Sequence, residues 1–316
     1  MSIVIKKPGI LTTVQDLGRF GYRSLGINPG GAMDRAAARA ANIILGNEEN
    51  TPLLEMHFPA AEIEFTNDTV FAICGADFSA TLSDKPVSTW AVIAARRKAT
   101  LRFKGRRSGQ RAYFAVKGGF GVDAWLGSCS TNLVASVGGF SGRQLMASDR
   151  LECRSSRAGG SFAVGPSLRH VTTGPKTVRI TRGPEFDLLT AISSERVLLT
   201  ESFRITNDSS RMGYRLSGTA LALMDEMEMV SAGVNFGTIQ LPPDGQMIVL
   251  MADHQTSGGY PRIANVISAD LPILAQSGPG DSVAFRLVSV EEAEEAAMQF
   301  ESELNFLRIG CRLLTR

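Results

Sequence analysis

Two short stretches hold most of the side chains whose types and spacing could do chemistry. Met251 to Ala264, MADHQTSGGYPRIA, clusters Asp253, His254, Gln255, Thr256, Ser257 and Tyr260 around Gly258-Gly259, directly after the apolar run Met247–Met251. A strand that runs into a glycine-bearing turn with this density of donors and acceptors suits anchoring a small polar ligand. Asp253 could serve as a base or orient a neighbour, and the Gly258-Gly259 amides could receive an anionic oxygen. A polar turn whose Asp and Thr side chains satisfy their own backbone reads equally well from these residues.

The second stretch, Thr12 to Asp34, reads TTVQDLGRFGYRSLGINPGGAMD and sets Gln15, Asp16, Arg19, Tyr22 and Arg23 among closely spaced glycines. Part of it returns downstream: Asp16-x-x-Arg19-x-Gly21-Tyr22-Arg23 is matched by Asp208-x-x-Arg211-x-Gly213-Tyr214-Arg215, a hint of duplicated architecture. Arginine forks at Arg19 and Arg211 could read a carboxylate or phosphate bidentately. A structural pairing of each with its own Asp16 or Asp208 is the preferred reading.

Several classes of chemistry are removed by what the chain lacks. No G-x-x-x-x-G-K-[ST] phosphate loop is present, and Gly138 to Arg143 has neither the spacing nor the lysine. Gly119-Phe120-Gly121 does not extend into a dinucleotide fingerprint. His57, His170 and His254 are far apart, and the four cysteines form no C-x-x-C pair, so no metal site is expected. Gly127-Ser128-Cys129-Ser130 lacks a nucleophile elbow, and Cys129 reads as a plain buried cysteine. The 33 basic and 31 acidic residues nearly cancel, which argues against a nucleic-acid binder. The basic run Arg96-Arg97-Lys98 with Lys104, Arg106 and Arg107 reads as a solvated sheet edge. The N-terminus has no signal-peptide core and no apolar run reaches spanning length, so a soluble, cytoplasmic protein without a membrane role is expected.

The elements around these stretches are mostly strands. Runs such as Ala61–Phe65, Val70–Cys74, Ala99–Phe103 and Arg111–Val116 follow one another with turn residues between them, the pattern of a barrel or sandwich. The texture resumes at Val178–Ile180, Arg196–Leu199, Arg204–Asn207, Arg215–Leu216, Thr238–Leu241, Met247–Met251 and Ser282–Leu287. Asp34 before the alanine-rich Arg35–Leu45, with Gly46 after it, predicts one helix. Ser289-Val290-Glu291-Glu292 has capping-box spacing, and the stripe Ala293, Ala297, Phe300, Leu304, Leu307 predicts a C-terminal helix docked on its own barrel. Arg154 to Pro175 is the linker candidate, giving β domains over 1–160 and 176–316.

Long motifs then match a known family. Thr12 to Arg19 with Gly30 to Asp34, Arg111 to Tyr113, Gly118-Gly119, Leu126 to Thr131, Ser210 to Leu216, Gly237 to Gly245, Gln255 to Pro261 and Ala269 to Pro272 carry the match. On these motifs the chain resembles the KipA family, also called allophanate hydrolase subunit 2 or the biotin-dependent carboxyltransferase family. The resemblance implies two cyclophilin-like β-barrel domains with a few short helices. It points most strongly to the branch that works in bacterial 5-oxoprolinase, which implies ATP-dependent opening of 5-oxo-L-proline to L-glutamate. That activity would need partner subunits A and B (KipI-like and LamB/YcsF-like proteins), without which the chain is expected to be inactive. Other members imply alternatives: a carboxyltransferase subunit acting on a urea-like substrate with carboxybiotin, or a regulator that binds a kinase inhibitor. Three positions depart from the family pattern: Phe20 stands where proline is frequent, Gly30 where serine is usual and Ser257 where a second threonine is common.

Polar density together with these motifs selects Asp253, Gln255 and Arg211 as candidate catalytic residues. Tyr214, Thr256, Ser257, Gly258, Gly259, Tyr260, Gln15, Asp16 and Arg19 are the expected substrate-binding set. ATP is expected to be held with the partner subunits, and biotin enters only under the urea reading. No biotin-accepting A-M-K-M motif is present, so another chain would carry it.

Overall fold

The computed structural model describes residues 1–154, 176–225 and 228–314, so the linker candidate beyond Arg154 lies outside the described residues. The chain divides into two units. The first comprises Met1–Arg19, Gly30–Val171 and Glu301–Arg316, and the second comprises Phe20–Pro29 and Thr172–Phe300. The tip of the opening glycine-rich stretch is therefore grouped with the second unit, and the last turns of the C-terminal helix with the first.

In the first unit the strands are β1 (Ser2–Lys7), β2 (Thr12–Gln15), β3 (Leu53–His57), β4 (Glu62–Phe65), β5 (Thr69–Asp77) and β6 (Ala80–Leu82). They continue as β7 (Lys85–Pro86), β8 (Val92–Ala95), β9 (Thr100–Phe103), β10 (Ser108–Val116) and β11 (Arg150–Glu152). A six-stranded sheet runs β11-β1-β4-β9-β6-β7 and a five-stranded sheet runs β2-β3-β10-β5-β8. Alternation sends Ile3, Ile5, Ile63, Phe65 and Leu101 from one sheet, and Val14, Leu54, Met56, Phe71 and Phe114 from the other, into a single core. Phe65 of one sheet meets Phe71 and Phe114 of the other with ring centroids 5.1 and 6.2 Å apart, which binds the two sheets together.

The predicted helix α1 (Arg35–Leu45) packs on β5 and β10. Asp34 caps it by accepting from Ala37 N–H at 2.9 Å, a bond worth about 1 kcal/mol, and Gly46 ends it in the left-handed region. Its buried face is mostly alanine, which allows the close approach to the sheet.

The second unit is a closed barrel, β12-β19-β16-β17-β14-β13-β20. Its strands are β12 (Lys176–Arg182), β13 (Ser202–Ile205), β14 (Gly213–Ser217), β16 (Thr238–Gln240), β17 (Ile248–Leu250), β19 (Arg262–Val266) and β20 (Ser282–Leu287). A separate pair, β15 (Ala232–Gly233) with β18 (Ser257–Gly258), lies outside that barrel. One expected strand is helical instead. Arg196–Leu199 falls in a π-turn, Ile192–Val197, that runs into α2 (Leu198–Thr200). Ser193 and Val197 are buried four residues apart, and the Thr190 hydroxyl accepts from Ser193 N–H at 3.2 Å. A short apolar run does not reveal its own period, and here helical spacing wins.

The short α3 (Leu271–Ala275) and the long α4 (Val290–Leu314) complete the chain. The capping box forms as predicted: Ser289 Oγ accepts from Glu292 N–H at 3.1 Å, and Glu292 accepts from Ser289 N–H at 2.8 Å. Ala293, Ala296 and Phe300 pack on Ile267, Ala269 and Val288 of the second unit. Among the described residues no helix is long and apolar enough to cross a membrane.

The internal echo does not survive as structure. Asp16 is buried whereas Asp208 sits in an exposed turn, and Tyr22 precedes a short 3-10 turn whereas Tyr214 lies inside β14. In a chain of this length one such match of letters arises without common architecture.

Candidate functional site

The polar stretch that follows β17 begins where that strand ends. Met251 N–H donates to the Met212 carbonyl at 3.0 Å and Asp253 N–H to the Arg211 carbonyl at 2.8 Å, which lays the turn before β14 beside the loop. The Arg211 side chain then closes on Asp253. Its Nε donates to Oδ2 at 2.7 Å and its Nη2 to Oδ1 at 3.0 Å, with the two side chains only 7% and 9% exposed. Asn28 Nδ2 donates to the Asp253 carbonyl at 2.9 Å. The N–H, the carbonyl and both carboxylate oxygens of Asp253 are thus all engaged, which is the geometry of a brace.

Beyond Asp253 the chain turns outward. His254 is buried with Nδ1 2.5 Å from the Gln255 carbonyl, while Gln255, Ser257, Gly259 and Tyr260 are exposed. Gln240, buried at the end of β16, ties the two ends of this loop together. Its Oε1 accepts from Gln255 Nε2 at 3.3 Å and its Nε2 donates to the Tyr260 carbonyl at 3.3 Å. A Cβ on Gly258 would stand 2.6 Å from Gln240 Nε2, so any larger residue there would displace the Gln240 side chain. β18 holds Ser257–Gly258 against β15, and Val234 N–H donates to the Thr256 carbonyl at 3.3 Å. Behind β15, Arg23 donates to the Val234 carbonyl and to Asn235 Oδ1. Arg262, paired with Glu185 at 2.7 Å, donates to the Gly233 carbonyl at 3.1 Å. Gly258 is therefore part of a small strand pair, with Gly259 in the bend that follows it. What the loop shows outward is neutral: a primary amide, hydroxyls and a phenol.

Tyr214 is not brought to this loop. It is 2% exposed inside the barrel, and its hydroxyl donates to the Ser277 carbonyl at 3.0 Å. The expected pairing of Arg211 with Asp208 is also replaced. The guanidinium turns to the buried Asp253 while Asp208 stays at the surface.

Gln15, Asp16 and Arg19 come together in the first unit, all buried. Asp16 Oδ1 accepts from Gly18 N–H at 2.8 Å, Ser128 Oγ at 2.7 Å and Ser130 Oγ at 2.5 Å, and Oδ2 accepts from Cys129 N–H at 2.5 Å. Arg19 lies 4.8 Å over the Trp125 ring and donates to the Ser130 carbonyl at 2.5 Å. Gln15 Nε2 donates to Thr13 Oγ1 at 3.1 Å and to the Thr131 carbonyl at 3.3 Å. These groups knit the opening stretch to the Gly127–Thr131 segment. Burial, and next the Asp16 charge, push the Cys129 thiol up, which keeps it protonated and inert as a nucleophile.

Residues 25–287 match the carboxyltransferase domain family, subdomains A and B. The chain belongs to this family. It is 40% identical over 298 residues to the 5-oxoprolinase C subunit of Haemophilus influenzae, covering 94% of both chains. It is 39% identical over 292 residues to the Escherichia coli protein of the same name, covering 92% of this chain and 93% of that one. Among solved structures it superposes on the Kluyveromyces lactis urea carboxylase with a TM-score of 0.91 at 27% identity, covering 97% of this chain and 29% of that one.

The residues of this carboxyltransferase-domain chain that sequence reading missed are those that brace other residues. Gln240 sits inside the Gly237–Gly245 motif, where its side chain gave no separate signal. Asn28 and Arg23 belong to the opening stretch, but their partners lie more than 200 positions away. In the first unit Glu55 was hidden within an apolar strand. Its carboxylate accepts from Tyr113 Oη and from Met33 N–H, both at 2.8 Å, while Asp34 N–H donates to Tyr113 Oη at 2.7 Å.

Proposed function

We propose that this chain is the C subunit of a cytoplasmic, ATP-dependent 5-oxoprolinase that opens 5-oxo-L-proline to L-glutamate together with subunits A and B. The observation that carries the reading is the end-to-end match, 94% of both chains, to a relative of that name. The chemistry of the loop agrees with it. A lactam presents one N–H donor and one carbonyl acceptor, which the Gln255 amide and the Thr256, Ser257 and Tyr260 hydroxyls can complement. On this reading Arg211 and Asp253 act by fixing the loop, and the exposed Gln255 amide is the group that would meet the ring.

The same loop does not fit ATP. Arg211 is committed to Asp253, and the chain has no phosphate-loop sequence. On this reading the nucleotide is handled together with the partner subunits. A second reading, a urea-type carboxyltransferase subunit served by biotin on another chain, is favoured by the superposition on urea carboxylase at a TM-score of 0.91.

Co-expression with subunits A and B tests the choice. The assembled trio should release glutamate from 5-oxoproline only when ATP is present. A folded trio with no turnover overturns the proposal, and ATP- and bicarbonate-dependent carboxylation of urea on adding a biotin carboxylase and a biotinylated carrier supports the second reading.

A further inference from the structure

The tip of the opening stretch, Phe20–Pro29, is grouped with the second unit; its Asn28 reaches the candidate loop, and its Arg23 reaches the Val234–Asn235 segment beside that loop. We propose that Asn28 and Arg23 are positioning residues that hold the Asp253–Tyr260 loop in its ligand-facing shape. The kinetic part of this inference rests on the proposed function, and the structural part stands without it.

Gln240 and the β15–β18 pair tie the loop through hydrogen bonds, and Asn28 and Arg23 add to that set. Gln255, Ser257, Gly259 and Tyr260 are exposed, so the segment has almost no apolar anchor of its own and its shape depends on hydrogen bonds. At its start, Asp253 is oriented by Arg211 through its N–H and its carboxylate, and by Asn28 through its carbonyl. Rotation of that peptide plane would swing Gln255 away, and the Asn28 amide is the group that holds the plane's oxygen. On the other flank, Val234 N–H supports the Thr256 carbonyl, and Arg23 fixes the Val234–Asn235 backbone with two nitrogens on two acceptors. Arginine suits this task because its fork reaches both acceptors at once, which a lysine cannot do. Neither Asn28 nor Arg23 needs to meet the ligand; each acts through the backbone that carries Gln255 and Thr256.

The test compares the full-length wild type with Asn28→Asp, which is isosteric but presents an acceptor to the Asp253 carbonyl, and with Arg23→Met. Hydrogen–deuterium exchange across residues 254–259 should speed up by about tenfold in each variant, with the melting temperature nearly unchanged. In the reconstituted complex KM for 5-oxoproline should rise by about fivefold or more while kcat stays within about twofold, the signature of lost binding alignment. Unchanged exchange in the loop for both variants overturns the inference. So does faster exchange throughout the chain with a fall in melting temperature, which would mark a general structural role. If the wild-type complex never turns over 5-oxoproline, the functional reading fails, and the exchange data still decide whether these residues position the loop.

Discussion

Arg211 and Asp253 hold each other twice, once through a bidentate side-chain fork at 2.7 and 3.0 Å and once through a backbone bond at 2.8 Å. Both side chains are almost fully buried, so neither charge has water to fall back on. Removing one partner leaves the other charge uncompensated, a loss of about 3–5 kcal/mol. Asp253→Ala and Arg211→Ala should each lower stability by that order in urea unfolding. The double variant Arg211→Met/Asp253→Leu should cost well under the two single losses added together, because no charge then remains buried. Additive losses would show that the two residues do not work as a pair.

Gly258 and Gln240 give a sharper probe of the loop because the clash is local. Gly258→Ala would press a methyl group to 2.6 Å from Gln240 Nε2 and dislodge a side chain that bonds both Gln255 and the Tyr260 carbonyl. One or two neutral hydrogen bonds are at stake, about 1–2 kcal/mol in all. The expected result is a KM for 5-oxoproline raised about tenfold with urea stability lowered by at most that amount. Gln240→Ala combined with Gly258→Ala should do no further harm, since the colliding group is gone.

The sequence shows most of the strands, α1 and α4 because each has a local cause: alternation, the Asp34 cap, the Ser289–Glu292 box. It does not show which partner a buried charge takes. Arg211 stands three residues from Asp208 and forty-two from Asp253, and only folding decides between them. Asp16 and Arg19 stand out in the sequence by their polarity beside glycine. Polarity alone, however, does not distinguish a group aimed at a ligand from one that knits Ser128 to Ser130 in place. Tyr214 misleads for the same reason, its hydroxyl being used by Ser277 inside the barrel. The Gln255–Tyr260 loop stands out in the sequence because glycine and a density of donors coincide there, and the structure puts most of it at the surface.

Glu185 links acid stability to the same loop. Its hydrogen bonds and charge pairing with Arg262 hold its carboxyl below the ordinary value of 4.5, and Arg262 in turn supports the Gly233 carbonyl opposite Ser257. A depressed folded-state value means that the contribution is fully present above the ordinary carboxylate range and fades as pH falls through and below it. Glu185→Gln should therefore destabilise the protein at pH 7 and leave it indistinguishable from wild type at the lowest pH where both remain folded. A stability gap that persists unchanged into acid would show that the pair contributes through packing and not through charge.

The cysteines supply a prediction about what is not chemistry. All four are free and buried, and burial pushes the Cys153 and Cys311 thiols up to about 11. Thiolate is the species that reacts with alkylating agents, so at pH 8 a thiol with a value near 11 presents a few hundred times less of it than an ordinary cysteine near 8.5. Cys129 is shifted in the same direction and lies behind the Asp16 network. Iodoacetamide at pH 8 should thus leave the native chain essentially unmodified over a period in which the urea-unfolded chain is fully alkylated. Rapid labelling of Cys129 alone in the native protein would contradict the inert reading and reopen Gly127–Thr131 as a reactive segment.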